Sequence, residues 1–132
     1  MYYNSMKKLL YIIFTLGLIS ILAIYFYTNQ PHRDVKSEMP SFNISAQDLI
    51  LEFMSSQDIA LKKFLNKTIV VHGKPSKILS KSLIIEDNIF CTFDLSELDP
   101  NISETIYLKG RCIGYDDLLG EIQLDQCSII NE

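Results

Sequence analysis

The chain has 132 residues, a net charge of −4 and a pI near 5.1. This length allows one domain of ordinary size, which excludes multidomain enzymes and long repeat arrays. The acidic balance disfavours a partner that is bound mainly through phosphates. Hydrophobic residues make up 48% of the chain, and they are concentrated in one early block.

That block runs from residue 9 to residue 27 and reads LLYIIFTLGLISILAIYFY, without a charge. As a helix it is roughly 28 Å long, close to the ~30 Å hydrocarbon core of a bilayer. A cleaved signal peptide has an apolar core of ~7–15 residues and small residues at its cleavage site. Here the core is longer, and Tyr25-Phe26-Tyr27-Thr28 follows it. The pattern predicts an uncleaved transmembrane anchor rather than a signal peptide or a buried core helix.

The charges that flank the block set its expected orientation. Lys7 and Lys8 precede it, and Arg33 and Lys36 follow it. A short basic N-terminus before the first apolar span favours the cytoplasmic side. We therefore expect a single-pass protein of the inner membrane, with residues 1–8 in the cytoplasm and residues 28 onward on the outer, periplasmic side.

Residues 28–42 contain Pro31, Pro40 and mixed charges, and they predict an irregular linker. The domain is expected over residues 43–132. Ser45 followed by Asp48 resembles a capping box before an amphipathic helix. A break at residues 55–58 would make it a helix pair, with Ser56 as the second cap. The expected apolar stripe comprises Leu49, Ile50, Phe53, Met54, Ala60, Leu61, Phe64 and Leu65.

After residue 66 the hydrophobic period changes from 3.6 to 2, which predicts strands. Five are expected, at residues 68–73, 83–85, 89–93, 106–115 and 121–130. Five short strands with a long connection between the third and fourth suit a small closed barrel. The predicted fold is therefore mainly β with α: a five-stranded OB-fold barrel preceded by an amphipathic helix or helix pair, plus one N-terminal transmembrane helix.

Alternation assigns the faces of the strands. Outward positions include Phe90 in the third strand and Tyr107, Lys109, Arg111 and Tyr115 in the fourth. In the fifth strand the parity slips near Asp125-Gln126, which predicts a bulge. The expected inward residues are Ile89, Cys91, Phe93, Ile106, Leu108, Gly110, Cys112, Ile122, Leu124, Cys127 and Ile129.

From Ile44 to Ile130 the chain resembles the tRNA_anti-like family of bacterial OB-fold proteins. The resemblance lies in the helix lead-in Ser45-Ala46, the segment Phe64-Leu65-Asn66-Lys67, and the strands around Ile69-Val71-Gly73, Cys91-Thr92-Phe93, residues 109–115 and Leu124 with Cys127. Many similar members are small exported lipoproteins without an assigned activity. This chain has no Cys before Cys91 to carry a lipid, so its anchor would be the helix itself.

The family's name implies nucleic-acid binding, and the charges of the domain disfavour it. Residues 41–132 contain eight Lys and Arg against fourteen Asp and Glu, a net charge of −6. A basic rim at Lys74, Lys77 and Lys81 reads more simply as a solvated loop. The candidate ligand face interleaves aromatic and basic residues. Pairing of its charges with Glu121 and Asp125 on the next strand is the simpler account. This candidate face comprises Phe90, Tyr107, Lys109, Arg111 and Tyr115.

No catalytic motif is found, and we expect no enzyme activity, no metal site and no cofactor. His72 lies beside Gly73, where a position at the surface or at the end of the barrel is expected. The three cysteines read as small apolar residues of the core. In an OB barrel the third and fifth strands are neighbours, so Cys91 and Cys127 are the candidate disulfide pair in an oxidising compartment.

The sequence as a whole predicts a membrane-anchored, exported OB-fold binding module without catalysis. Its expected partners are the membrane, through residues 9–27, and envelope proteins or a small ligand. The alternative is an OB domain that binds single-stranded nucleic acid.

Overall fold

The computed structural model describes residues 2–29, 33–94 and 98–131. The chain divides into two compact units, residues 1–33 and residues 34–132. The first unit contains helix α1, Tyr2–Thr28. The second contains two short helices and one sheet, and its elements are β1 Phe42–Ser45, α2 Ala46–Ser55, α3 Gln57–Phe64, β2 Thr68–Gly73, β3 Pro75–Ile78, β4 Ser82–Ile85, β5 Ile89–Thr92, β6 Ile106–Asp116 and β7 Glu121–Ile130.

Helix α1 is long and apolar enough to cross a membrane, with a mean hydropathy of 2.5 over its most apolar window. None of its described residues is buried within the protein. Hydroxyl groups within the helix donate hydrogen bonds to backbone carbonyls of the preceding turn. Thr15 donates to the Ile12 carbonyl and Ser20 to the Leu16 carbonyl, each at 2.9 Å. Such local bonds suit hydroxyls in a hydrocarbon environment, where water is absent. A signal sequence near the N-terminus passes the same test of length and apolar composition, so α1 fits a membrane anchor or a signal.

Across the described residues of the second unit, seven strands form one mixed sheet in the order β1-β2-β6-β7-β5-β4-β3. The five predicted strands are all present, as β2, β4, β5, β6 and β7. The predicted count is wrong because two short strands are added. β1 directly follows Pro40 and pairs in parallel with β2, and β3 begins at Pro75 and pairs with β4. Each of the two is only four residues long, and β1 depends on pairing with a strand 27 residues further along the chain, so their local pattern was too weak to show them.

The predicted closed barrel is also not what the described strands form, because no ladder joins the two ends of the sheet. If β1 is set aside, the end strands are β2 and β3, and the single residue Lys74 separates them in the chain. The Lys74 carbonyl accepts a hydrogen bond from the Glu86 amide at 3.2 Å. A Cβ on Gly73 would lie 2.6 Å from Cγ2 of Ile85. Only glycine therefore allows this close approach of β2 to the end of β4.

The helix pair follows the predicted pattern with two exceptions. The Asp48 amide donates to Ser45 Oγ at 3.1 Å, and Ser45 Oγ donates to Asp48 Oδ2 at 2.7 Å, so the cap of α2 is confirmed. Ser56 occupies the N-cap position of α3, although its side chain makes no capping hydrogen bond. Met54 and Leu65 are exposed rather than buried. Met54 points away from the sheet near the end of α2, and Leu65 lies just beyond α3.

The core forms between the helix pair and the inner face of the sheet. The inward assignments of the third and fourth strands are confirmed, as are those of Ile122, Leu124 and Cys127. Ile129 was predicted to be inward, and it pairs with the buried Leu108. It is nevertheless 41% exposed, because it lies one residue before the end of β7. The centre of the core is the aromatic pair Phe53 and Phe64, whose ring centroids lie 6.1 Å apart.

Two bulges interrupt the pairing of β6 with β7. The predicted bulge near Asp125-Gln126 is confirmed by a register shift opposite Lys109 and Arg111 and by a positive φ of 48° at Gln126. The second bulge was not predicted. Cys112 pairs with Leu124 and Gly114 pairs with Gln123, so Ile113 is an extra residue in β6. Each bulge reverses the face on which the following residues of its strand lie.

Candidate functional site

Three of the predicted ligand-face residues lie together on the outer face of β6. Tyr107 pairs with His72 of β2, Lys109 with Val70, and Arg111 with Thr68. These six residues share one side of the sheet, because directly paired residues of neighbouring strands point the same way. We call these six residues the covered face.

Residues 34–38 lie against the covered face. Thr68 Oγ1 donates to Glu38 Oε2 at 2.6 Å, and Lys109 Nζ donates to the Lys36 carbonyl at 2.9 Å. Val35 is 1% exposed, although its neighbours in the chain are polar. Thr68 and Val70 are also buried, although they point away from the main core. A segment that the sequence analysis includes in the linker therefore packs on the predicted ligand face.

The functional groups of the covered face are already engaged. Arg111 makes a two-pronged ion pair with Asp125, from Nε to Oδ1 at 2.9 Å and from Nη2 to Oδ2 at 2.6 Å. This is the cross-strand pairing that the sequence analysis gave as the simpler account. The rings of Tyr107 and His72 stack with centroids 5.2 Å apart. These contacts of the covered face are thus made within the domain, where they stabilise its fold.

Tyr115 does not lie with these residues. The bulge at Ile113 reverses the parity of β6, so Tyr115 pairs with the buried Ile122 on the inner side of the sheet. Its ring stacks on Phe53 of α2, with centroids 5.6 Å apart and an interplanar angle of 18°. Tyr115 therefore belongs to the edge of the core, beneath the helix pair.

Phe90 lies on a different part of the outer surface. The pairing register sets it in a row across four strands: Lys77 pairs with Ile84, Ile84 with Phe90, and Phe90 with Gln123. Lys77 is exposed and the other three are half-buried. We call these four residues the open face. They combine a cation, two apolar side chains and an amide, which can contact a ligand that has both apolar and polar groups.

The three lysines of the predicted basic rim, Lys74, Lys77 and Lys81, are all exposed. Lys77 is the one that belongs to the open face. The alternation of β4 and β5 predicts which of their side chains point outward, but it does not predict which residues of the two strands are paired. Val35 was not predicted to be buried, since a single apolar residue among polar ones gives no periodic pattern.

The cysteines are free and buried. Burial raises the pKa of the Cys112 thiol to about 11, from an ordinary value of 9.0. Burial also raises the pKa of the Cys127 thiol well above its ordinary value, and a hydrogen bond with Cys91 adds to this effect. Cys91 and Cys127 are thus neighbours in the core, and a disulfide between them stays a prediction. Thiols held protonated in this way are weak nucleophiles.

Within the described residues, no three His, Cys, Asp or Glu side chains are grouped so that they could hold a metal ion. His72 is half-buried, and its Nδ1 atom has no hydrogen-bond partner among the described groups. The role of the five predicted ligand-face residues in binding stays a prediction. Their placement shows that they belong to three separate surroundings: the covered face, the open face and the edge of the core.

No protein-family model matches this sequence, and no curated protein sequence is significantly similar to it. The domain is similar in structure to the crystal structure of a "putative nucleic acid-binding lipoprotein" from Klebsiella pneumoniae subsp. pneumoniae MGH 78578. The TM-score is 0.51 at 16% sequence identity, and the match covers 77% of this chain and all of the other. At this identity the likeness shows a shared fold, and it leaves the ligand of this chain undetermined.

Proposed function

We propose that this protein is a non-catalytic binding module with an OB-type domain, anchored in the inner membrane by α1, with its N-terminus in the cytoplasm and its domain on the outer side. The observation that carries the proposal is the contrast between the two units. The described residues of α1 are mostly apolar and none of them is buried within the protein, whereas the second unit has a buried core of its own. A helix of that kind needs a lipid environment.

The strand order supports the OB-type arrangement of the domain. Its last strand, β7, pairs in parallel with β5 and antiparallel with β6, and β2 pairs with β6. With β1 set aside, the strands at the two ends of the sheet are β2 and β3, and only Lys74 separates them in the chain. OB-folds are partly open five-stranded barrels. The similarity in structure to a lipoprotein with a TM-score of 0.51 is consistent with this interpretation.

The chemistry of the described side chains supports a role in binding rather than catalysis. The thiols of Cys112 and Cys127 are buried and held protonated. His72 is half-buried, and its ring stacks on that of Tyr107. The open face is accessible and carries mixed polar and apolar groups, so it is the surface that we propose contacts a ligand.

A pair of C-terminal fusions tests the topology. Alkaline phosphatase is active outside the cytoplasm, and a green fluorescent protein fusion fluoresces after folding in the cytoplasm. We expect an active phosphatase fusion and a dark fluorescent fusion, both retained in membranes after alkaline extraction. A silent phosphatase fusion would contradict the outward orientation. An N-terminal epitope tag that disappears from the mature protein would show that α1 is a cleaved signal.

A second candidate function is binding of single-stranded nucleic acid. It is favoured by the description of the Klebsiella protein and by Phe90 beside Ile84 and Lys77 on the open face. The net charge of −6 over residues 41–132 opposes it. A titration of the full chain with a labelled 20-nucleotide oligothymidine at several salt concentrations separates the two functions. Binding that weakens steeply with salt and is lost in Phe90→Ala favours the second candidate.

A further inference from the structure

A groove crosses the outside of the helix pair, on a surface separate from both faces of the sheet. It is open to solvent and has a volume of about 560 Å³. Its apolar walls are Leu51 of α2 and Ile59 of α3, which are 59% and 67% exposed. A second depression adjoins it on the other side of Leu51 and reaches Glu86.

The exposure of these apolar residues is unusual for so small a domain. Met54 lies one helical turn from Leu51 and is 75% exposed. Exposed large apolar side chains that are scattered singly are common, but contiguous ones mark sites of interaction. Leu51 of α2 and Ile59 of α3 line the same groove, so the two helices share one apolar surface, which we call the helix groove.

The charges of the helix groove are of one sign. Its lining, taken over the described residues, contains the carboxylates Asp48, Glu52 and Glu86 and no cation. Glu52 is paired with Lys63 at 2.8 Å. Asp48 accepts a hydrogen bond from the Ser45 hydroxyl, and Glu86 accepts one from the Lys74 amide at 3.3 Å; neither donor is a cation. An apolar floor with an acidic rim is complementary to apolar side chains that are flanked by Lys or Arg.

We propose that the helix groove binds an amphipathic peptide segment of a partner protein, with a leucine-rich face on Leu51 and Ile59 and basic residues beside Asp48 and Glu86. A helical segment that lays its apolar face in a groove is a recurrent mode of peptide recognition. The carboxylates steer the approach of such a segment and set its orientation, and the apolar contacts supply most of the affinity.

The test uses the full chain in nanodiscs of zwitterionic lipid and two fluorescent 14-residue probes, one of leucine and lysine and one of leucine and glutamate. Fluorescence anisotropy measures binding, with empty nanodiscs as the blank. We expect the leucine–lysine probe to bind and the leucine–glutamate probe not to bind. Leu51→Gln and Ile59→Gln remove apolar contacts without changing the charge, and each should weaken binding about tenfold or more.

Three further variants make the test specific. Leu118→Gln alters a leucine that is 97% exposed in the turn after β6, outside the groove, and should leave the affinity unchanged. The combination Asp48→Asn and Glu86→Gln keeps the hydrogen-bond acceptors, and should weaken binding and reduce its dependence on salt. Phe90→Ala should have no effect, which separates this proposal from a ligand on the open face.

Several results would overturn the proposal. They are equal binding of both probes, no binding of either probe, and equal loss of binding in Leu118→Gln and Leu51→Gln. A second copy of the chain is the other occupant to consider. Chemical cross-linking that captures a dimer in the wild type but not in Ile59→Gln, without peptide binding, would assign the helix groove to self-association instead.

Discussion

The outer surface of the sheet has two regions whose side chains alternate in the same way along the strands but differ in their exposure to solvent. On β2 and β6 residues 34–38 contact the outward side chains of Thr68 and Lys109, and Thr68 is 1% exposed. On β4 and β5 the outward side chains Ile84 and Phe90 remain partly accessible. Alternation decides which side chains leave the core. It does not decide which of them reach solvent, because that depends on a distant segment that packs on the strand.

The largest expected effect comes from the core that supports both regions. Phe64 is fully buried and contacts both Phe42 and Phe53. Phe64→Ala should lower the free energy of unfolding by about 3–5 kcal/mol, through lost burial and the cavity left behind. Denaturant unfolding of the second unit, followed by far-ultraviolet circular dichroism, measures this change. Met54→Ala on the same helix pair is the control, and an equal loss there would contradict this assignment of the core.

The next largest effect is a change of the free energy of unfolding with pH, caused by a cysteine on the inner side of β6. Cys112 has a pKa of about 11 when folded and 9.0 as an ordinary thiol. Below pH 9 the thiol is protonated in both states, so its contribution to stability is complete. Between pH 9 and 11 the unfolded chain loses a proton that the folded chain keeps, so the free energy of unfolding falls. Cys112 should contribute about 1.4 kcal/mol per pH unit to this fall. Cys112→Ala should therefore show a shallower fall than the wild type, and the part that remains includes the contribution of Cys127.

A smaller effect is expected on the covered face from its ion pair. Arg111→Leu leaves Asp125 partly buried without its cation, which should lower the free energy of unfolding by about 1–2 kcal/mol. Urea unfolding at low and high salt checks this value, since urea does not itself screen charges. No loss of stability would mean that solvent replaces the arginine fully.

The two outer regions can be compared directly with a matched pair of variants. Thr68→Val keeps the shape of the side chain and removes its hydrogen bond to Glu38, which should cost about 1 kcal/mol. Residues 34–38 should then exchange their amide hydrogens faster, as measured by mass spectrometry. Thr92→Val makes the same change on β5, away from residues 34–38. Equally fast exchange of residues 34–38 in both variants would show that the effect is not specific to the hydrogen bond of Thr68 with Glu38, and it would contradict the prediction.

The smallest effect is expected on the open face. Lys77→Ala removes an exposed cation from β3 and should change the free energy of unfolding by less than about 0.5 kcal/mol. Thermal unfolding of the two proteins side by side measures the change. A larger loss would show that Lys77 contributes to the packing of the sheet, and the open face would then resemble the covered face.

Much of the fold could be predicted from periodicity, because burial imposes a period of 3.6 on helices and 2 on strands. The cap at Ser45, the inward row Ile89, Cys91 and Phe93, and the bulge at Gln126 all leave local patterns. The strands β1 and β3 do not, because each is four residues long, which is too short to show a clear alternation.

The candidate site was harder to predict for two physical reasons. The extra residue Ile113 turns Tyr115 toward Phe53, and nothing in the local pattern of β6 marks a bulge there. Val35 is a single apolar residue among polar ones, so its burial against the covered face follows only from the tertiary structure. The helix groove leaves a signal in retrospect, since Leu51 and Ile59 fall outside the stripe that the core requires.

The position of β7 has a consequence for biosynthesis. This strand lies between β5 and β6, yet it comes after both in the chain. A ribosome therefore releases β5 and β6 before the element that joins them exists, and the sheet stays in two pieces until residues 121–130 emerge. The hairpin of β4 with β5 and the pairing of β2 with β6 therefore lack the strand that unites them until synthesis is almost finished.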